Sequence, residues 1–206
     1  MIIAVDGPTA SGKGTIAGAL AAHFGLPFLD TGLLYRAVGR QVALNGGDPS
    51  DPADAEAACS FPESLLAAPV LRNEETGGLA SKVSAHPAVR RALFERQRAF
   101  ALQPGGAVLD GRDIGTVIAP EAEVKLFVTA SVEARARRRF AEMRNRGLDV
   151  TPDRIAQDLR ERDERDRTRA AAPLKAADDA ILLDTSDLGR DEAIREAIRL
   201  VEERLG

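Results

Sequence analysis

The chain has 206 residues, 44% hydrophobic and 29% charged, with a net charge of -4. That is enough for one well-buried α/β domain and too little for two, and the negative balance argues against a nucleic-acid polymer as partner, since polymer binding calls for a basic excess. A single cysteine, Cys59, excludes an internal disulfide and any paired-cysteine metal or redox site, and reads as a small apolar core residue in a reducing compartment.

Residues 2–15 read IIAVDGPTASGKGT. Ile2–Val5 is a short apolar run that predicts a buried strand, and Lys13–Phe24 predicts a helix stopped at Gly25. Between them Gly7, Pro8, Thr9, Ala10, Ser11, Gly12, Lys13, Gly14 and Thr15 form a G-x-x-x-x-G-K phosphate cradle. Its backbone amides turn inward on phosphate oxygens, and Lys13 adds a point charge at the positive end of the helix. The position after Lys13 usually carries Ser or Thr to ligate magnesium; here it is Gly14, and the hydroxyl arrives one place later, on Thr15. No protein ligand to the metal is therefore expected: Mg²⁺ would be held by nucleotide oxygens and water. With the cradle opening at Gly7 there is no room for a signal peptide, and no apolar run approaches membrane-span length, so a cytoplasmic protein without membrane contact is expected.

Further apolar runs at Pro27–Leu29, Ala107–Leu109, Val124–Val128 and Ala180–Leu183 lack the alternation of a half-exposed strand, which predicts strands buried on both faces. Amphipathic stretches separate most of them, the pattern of a parallel sheet covered by helices on both sides. Asp6, Asp30, Asp110, Thr129 and Asp184 stand just past the runs, at the carboxyl ends where open α/β sheets bind ligands. Thr129 and Asp184 read as turn formers.

From Gly46 to Arg72 the sequence predicts short helices and loops, then two helices over Asn73–Ser84 and Ala88–Leu102 broken at His86-Pro87. Residues 46–103 thus read as a helical lobe inserted in a single domain spanning 1–206. His86 and His23 read as helix-end residues. Thr151-Pro152 predicts the N-cap and first turn of another helix.

A phosphate loop alone leaves GTPases, ATPases and small-molecule kinases open. Three segments pair arginine with hydroxyls or carboxylates: DTGLLYR (30–36), DGRDIGT (110–116) and RDERDRTR (162–169). On a helix Arg162, Asp166 and Arg169 fall at i, i+4 and i+7 and share a face, a pattern that taken alone reads as exposed ion pairs worth roughly 0.5 kcal/mol each. Together with the loop, these motifs strongly resemble the bacterial cytidylate kinase family of P-loop nucleoside monophosphate kinases, over essentially the whole chain. DGRD-x-GT and the arginine run ahead of Pro173-Leu174 are far more specific than the loop.

The resemblance implies a P-loop NTPase-type three-layer α/β sandwich on a five-stranded parallel sheet, a monomer, and phosphoryl transfer from ATP with Mg²⁺ to CMP or dCMP. It assigns the acceptor phosphate to Arg36, Arg112 and Arg169 with Thr31 nearby, the ribose to Arg162 and Asp166, and the base to Ser81, Arg90 and Asp113; Tyr35 falls within the same motif. Catalysis would rest on Lys13, Arg112, Arg162 and Arg169. Residues 131–170 correspond to a lid, whose segment Ser131–Gly147 carries Arg135, Arg137, Arg138, Arg139, Arg144 and Arg146 without marking which reaches the donor. Phosphate chemistry agrees, since a monophosphate acceptor with a second pKa of ~6 needs cations and almost no base. Two departures stand out: Gly46–Val70 is shorter than the usual insert and lacks strand alternation, and Thr31 replaces a common Ser. The rival readings are a small kinase for UMP, shikimate or dephospho-CoA, and a nucleotide-binding regulator without turnover. The assignment requires Arg36, Arg112 and Arg169, from distant parts of the chain, to share one cavity.

Overall fold

The computed structural model describes all residues, Met1–Gly206. Strands β1 (Ile2–Asp6), β2 (Phe28–Asp30), β3 (Ala107–Gly111), β4 (Val124–Thr129) and β5 (Ile181–Asp184) form one parallel sheet in the order β2-β3-β1-β4-β5. Helices α1 (Lys13–Phe24), α2 (Thr31–Leu44), α3 (Pro52–Ala57), α4 (Glu74–Val83), α5 (Pro87–Ala101), α6 (Val132–Asn145), α7 (Pro152–Thr168) and α8 (Arg190–Leu205) connect and cover it.

Period-two alternation along β1 divides its side chains between two layers. Ile3 and Val5 pack with α1 and α8, through Ile16, Leu20, Ala197 and Val201. Ile2 and Ala4 pack on the other face with Ala101 of α5 and with Ile114 and Ile118 from a single π turn, Ile114–Ile118. The central strands are buried on both faces, as their apolar runs predict, with Lys125 of β4 the one charged residue inside a run. The edge strands are not: Phe28 and Leu182 are 38% and 67% exposed, because each edge strand has one neighbour and less helix above it.

A second core joins Leu34, Val38 and Val42 of α2 to Ala55, Leu71, Val83, Val89 and Leu93, so the stretch from α3 to α5 folds onto α2. Its irregular part is α3 and three 3₁₀ turns, with no strand. A third, small cluster ties α6 to α7 through Ala136, Ile155 and Leu159. The predicted punctuation holds locally: Gly25 ends α1 at φ 65° and Thr151 caps α7 ahead of Pro152, while Asn73, expected as the first residue of its helix, is the N-cap of α4. His86 stands at the N-cap of α5 with its ring on the Pro49 carbonyl, and His23 meets Glu202, both away from the strand ends. Asp184 accepts from Ser186 N, as a turn former does, whereas Thr129 is the last residue of β4 and its carbonyl accepts from Thr185 N just past β5. Cys59 is half-buried and bonded to the Ala55 carbonyl, its thiol pushed up to about 11 by burial. No helix is long and apolar enough to cross a membrane.

The register prepares the site. Each strand runs past its apolar run to include the polar residue at its carboxyl end, by one residue in β1, β2, β4 and β5 and by two in β3, which continues to Gly111. Asp30 of β2 lies beside Asp110 of β3, and Asp6 of β1 beside Gly111.

Candidate active site

The phosphate loop leaves β1 at Gly7, where a Cβ would collide with the Val128 carbonyl. It reaches α1 through Gly12 at φ 92°, a left-handed conformation that favours glycine. No side chain caps α1 and its first turn holds no acid, so the amides there remain free to meet an anion. Lys13 opens the helix. Burial lowers its pKa and the cation Arg112 adds to this, while Asp110 and Asp30 work against both. Asp110 is its mirror, raised first by burial and restrained by Lys13. A Cβ on Gly14 would already stand 3.1 Å from Asp110 Oδ2, so the glycine that departs from the usual motif makes room for this carboxylate.

Past the strand ends lies a cavity of about 250 Å³. Thr31, Tyr35, Arg36, Ser81, Arg90, Arg112, Asp113, Arg162, Asp166 and Arg169 all line it, joined by Thr9, Ala10, Lys13 and Gly14 of the loop. Arg36, Arg112 and Arg169, from α2, the end of β3 and the end of α7, therefore share one cavity. Of the other loop residues, Gly7, Pro8 and Ser11 are buried beneath it, and Gly12 and Thr15 face solvent. The cavity holds seven basic side chains against four carboxylates. That excess suits a polyanion.

At one end Arg90 is ion-paired with Asp113, lies over the Tyr35 ring at 5.4 Å and gives a second bond to the Ser84 carbonyl. Ser81 Oγ is buried there without a partner. Toward the loop, Arg36 Nη1 donates to the Leu71 and Asn73 carbonyls, 2.8 Å each, and has no carboxylate partner. Arg112 Nε bonds Asp166 at 2.9 Å; burial opposes charge on both, yet each sustains the other, so Arg112 stays above and Asp166 below its ordinary pKa. Burial, with Arg112 close by, pushes Arg162 down to about 10. Arg169 stands between the two groups, 3.8 Å from Asp113 and 4.0 Å from Asp166, and its Nη2 is buried without a hydrogen bond.

Two expectations change. Arg169 is not on the helical face: α7 ends at Thr168, Arg169 is the C-cap with an extended ψ of 139°, and its Nε bonds the Ala172 carbonyl. Only Arg162 and Asp166 share the helix, and the chain turn brings the third residue to the same cavity. Thr31 donates its hydroxyl proton to the Asp110 carbonyl at 2.7 Å, so it faces the cavity committed as a donor.

Sequence reasoning left Asp30, Asp110 and Arg139 out of the site, and all three line the cavity. Their strand-end positions did flag the two aspartates. Nothing in a helix so rich in arginine singles out Arg139; only the fold separates it, paired with Glu74, from exposed Arg137 and from Arg135, which is buried against Asp163.

Compared with known proteins, residues 3–203 match the family model described as Cytidylate kinase. A protein named cytidylate kinase from Xanthobacter autotrophicus is 56% identical over 204 residues, covering 99% of this chain and 98% of the relative. Another so named, from Methylocella silvestris, is 56% identical over 206 residues, covering 98% and 94%. Among solved structures, an uncharacterized protein from Eubacterium ventriosum is similar with a TM-score of 0.56 at 18% identity over 98% of both chains, a likeness of fold alone.

Proposed function

This chain belongs to the cytidylate kinase family, and on that premise we propose how its own residues transfer the γ-phosphoryl group of ATP to CMP or dCMP, giving CDP or dCDP. The observation that carries the reading is the single cavity with a surplus of basic side chains, bounded by Lys13 at one end and the Arg90–Asp113 pair at the other. Phosphoryl transfer onto a monophosphate brings two anions together, and fixed guanidinium groups offset that repulsion while binding oxygens through their planar forks.

Lys13 and the loop amides hold the donor phosphates. Arg36, Arg112 and Arg169 hold the acceptor phosphate, and Arg162 with Asp166 hold the ribose. Asp113 accepts from the cytosine amino group while Arg90 and Ser81 donate to its ring nitrogen and carbonyl. The unpartnered Ser81 Oγ and Arg169 Nη2 support this: a buried polar group left unmet costs about 1–3 kcal/mol, which nucleotide oxygens and nitrogens would relieve. No side chain is needed as general base. Residues 46–103 act as the acceptor lobe and 131–170 as the lid, with Arg139 the α6 arginine that reaches the cavity. We further propose a cytoplasmic monomer.

The residues fit a magnesium ion held mainly by nucleotide oxygens and water. Asp110 with Asp30, beside Gly14 and Lys13, can accept hydrogen bonds from the ion's waters. When bound, the metal would supply positive charge that offsets the negative charge of the donor phosphates.

The test is ADP release across CMP, dCMP, UMP and AMP at matched ATP. CMP and dCMP should give the highest kcat/KM. A preference for UMP or AMP, or ATP binding with no turnover on any of the four, overturns the reading.

A further inference from the structure

Asp6 ends β1, one residue before the phosphate loop, yet its side chain turns away from that loop. Oδ1 accepts from Ile114 N and Oδ2 from Gly115 N, each at 2.8 Å, and the residue is 5% exposed. Those two amides open the π turn directly after Arg112 and Asp113. Asp113 precedes it at φ -147°, ψ 24°, and supplies no side-chain cap of its own. The turn is thus capped from another strand. Its other side is filled as well: a Cβ on Gly115 would stand 3.1 Å from Lys125 Cδ and 3.4 Å from Asp6 Oδ2, so the backbone lies close between the two side chains.

Such a carboxylate costs stability. Burial pushes Asp6 up to about 6 despite the two amides that pull it down. What it provides is a rigid connection between the strand that feeds the donor loop and the backbone that carries the clamp and base contacts. We propose that Asp6 is a positioning residue for the acceptor, holding Arg112 and Asp113 in register with the phosphate loop and thereby setting the choice of base. This rests on Asp113 reading the base. An acceptor panel with no CMP preference fails that reading, whereas a CMP preference indifferent to Asp6 fails only this one.

Asp6→Asn is the test, because the isosteric amide must turn its NH₂ toward one of the two backbone N–H groups. In a folded variant, kcat/KM for CMP should fall by roughly tenfold or more, in line with the sensitivity of transfer reactions to small misplacements. The CMP-to-UMP ratio should fall with it. Affinity for a non-hydrolysable ATP analogue, measured calorimetrically without acceptor, should stay within about twofold, since the donor loop's own amides are untouched. An unchanged ratio overturns the proposal, and so does an equal loss of ATP-analogue affinity, which marks general damage.

If the variant does not fold, the wild type supplies a second test. Its CMP-to-UMP ratio should drop as pH is lowered through about 6, where Asp6 gains a proton and loses an acceptor. The charged groups that act on Asp6 are Arg112 and Asp113, just ahead of the turn, while Lys125 of β4, on the far side of the Gly115 backbone, is paired with Asp179. The phosphate titration common to CMP and UMP cancels in the ratio. A flat ratio across that window overturns the proposal.

Discussion

The guanidinium of Arg36 lies against Gly77 of α4: a Cβ on that glycine would stand 3.0 Å from Nη2 and 3.2 Å from Nη1. The glycine is a floor for the clamp. Alanine is the better helix former by about 1 kcal/mol, so Gly77→Ala should keep or raise stability while displacing Arg36 and raising KM for CMP several-fold. Gly78, next along the helix, has nothing within 4 Å of its Cβ, so Gly78→Ala should raise stability and leave KM unchanged. Thermal melts and CMP titrations of both variants check this, and equal KM values for the two would refute the contact's role.

Arg135 and Arg137 look alike on paper and differ in the fold. Arg135 is 2% exposed, bonded to Asp163 at 3.0 and 2.6 Å and to the carbonyls of Ala130 and Thr9, so one side chain joins α6, α7 and the phosphate loop. Arg135→Ala leaves a buried carboxylate alone and should cost about 3–5 kcal/mol. Arg137→Ala, on the exposed side, should stay within about 0.5 kcal/mol. Urea unfolding separates them.

That contrast marks what could be read from sequence. Strands, caps and the phosphate loop were legible because each depends on local rules: apolar runs, Thr151-Pro152, Gly25, the glycine spacing. The arginine motifs placed their residues in one cavity because motif and fold travel together. Burial of β2 and β5 was misjudged because an apolar run carries no information about which strand lies at the edge. Arg169 was misplaced on a helix because periodicity continues past the turn where the chain leaves α7. Asp6, Asp30 and Asp110 stood at strand ends in the sequence, but only the sheet order β2-β3-β1 brings them side by side.

Arg112 should be the most damaging clamp residue to lose. Its Nε is committed to Asp166 and one Nη to the Gly111 carbonyl, which fixes the fork while leaving the cavity-facing side free for oxygens. Arg112→Ala should lower kcat by on the order of 10³-fold, the range for charge-stabilising arginines in phosphoryl transfer. Arg112→Lys keeps the charge without the fork and should recover only a minor part. Near-normal turnover in the alanine variant would remove Arg112 from the site.

Asp6 also predicts a signed pH effect on stability. Its folded pKa, about 6, lies above the ordinary 3.8, so across that window the folded state keeps a proton that the unfolded chain has released. Its contribution is therefore fully present below about 3.8 and lost as pH rises through 6. The shift corresponds to about 3 kcal/mol. Asparagine does not titrate. The stability difference between wild type and Asp6→Asn, from urea unfolding at a series of pH values, should move against the wild type by up to that amount between acid and neutral pH, and a pH-independent difference would contradict the shift.

Base choice gives the sharpest test of the acceptor end. Asp113 faces Arg90 as an ion pair and Arg169 at 3.8 Å, so its carboxylate can accept a cytosine amino proton while both guanidinium groups hold it in place. Uracil presents a carbonyl at that position, oxygen against oxygen, and mispaired buried polar groups discriminate by orders of magnitude. Asp113→Asn turns an acceptor into a group that can donate to the uracil carbonyl while its own oxygen stays on Arg90. The CMP-to-UMP ratio of kcat/KM should fall by roughly 100-fold or more, mostly through loss of CMP activity. Asp113→Ala should flatten the preference without creating one for UMP, and it removes the negative charge between Arg90 and Arg169, so its stability should drop as well. Steady-state kinetics on both acceptors, with melts of each variant, distinguish the two effects, and an unchanged ratio in the folded asparagine variant would take Asp113 out of base recognition.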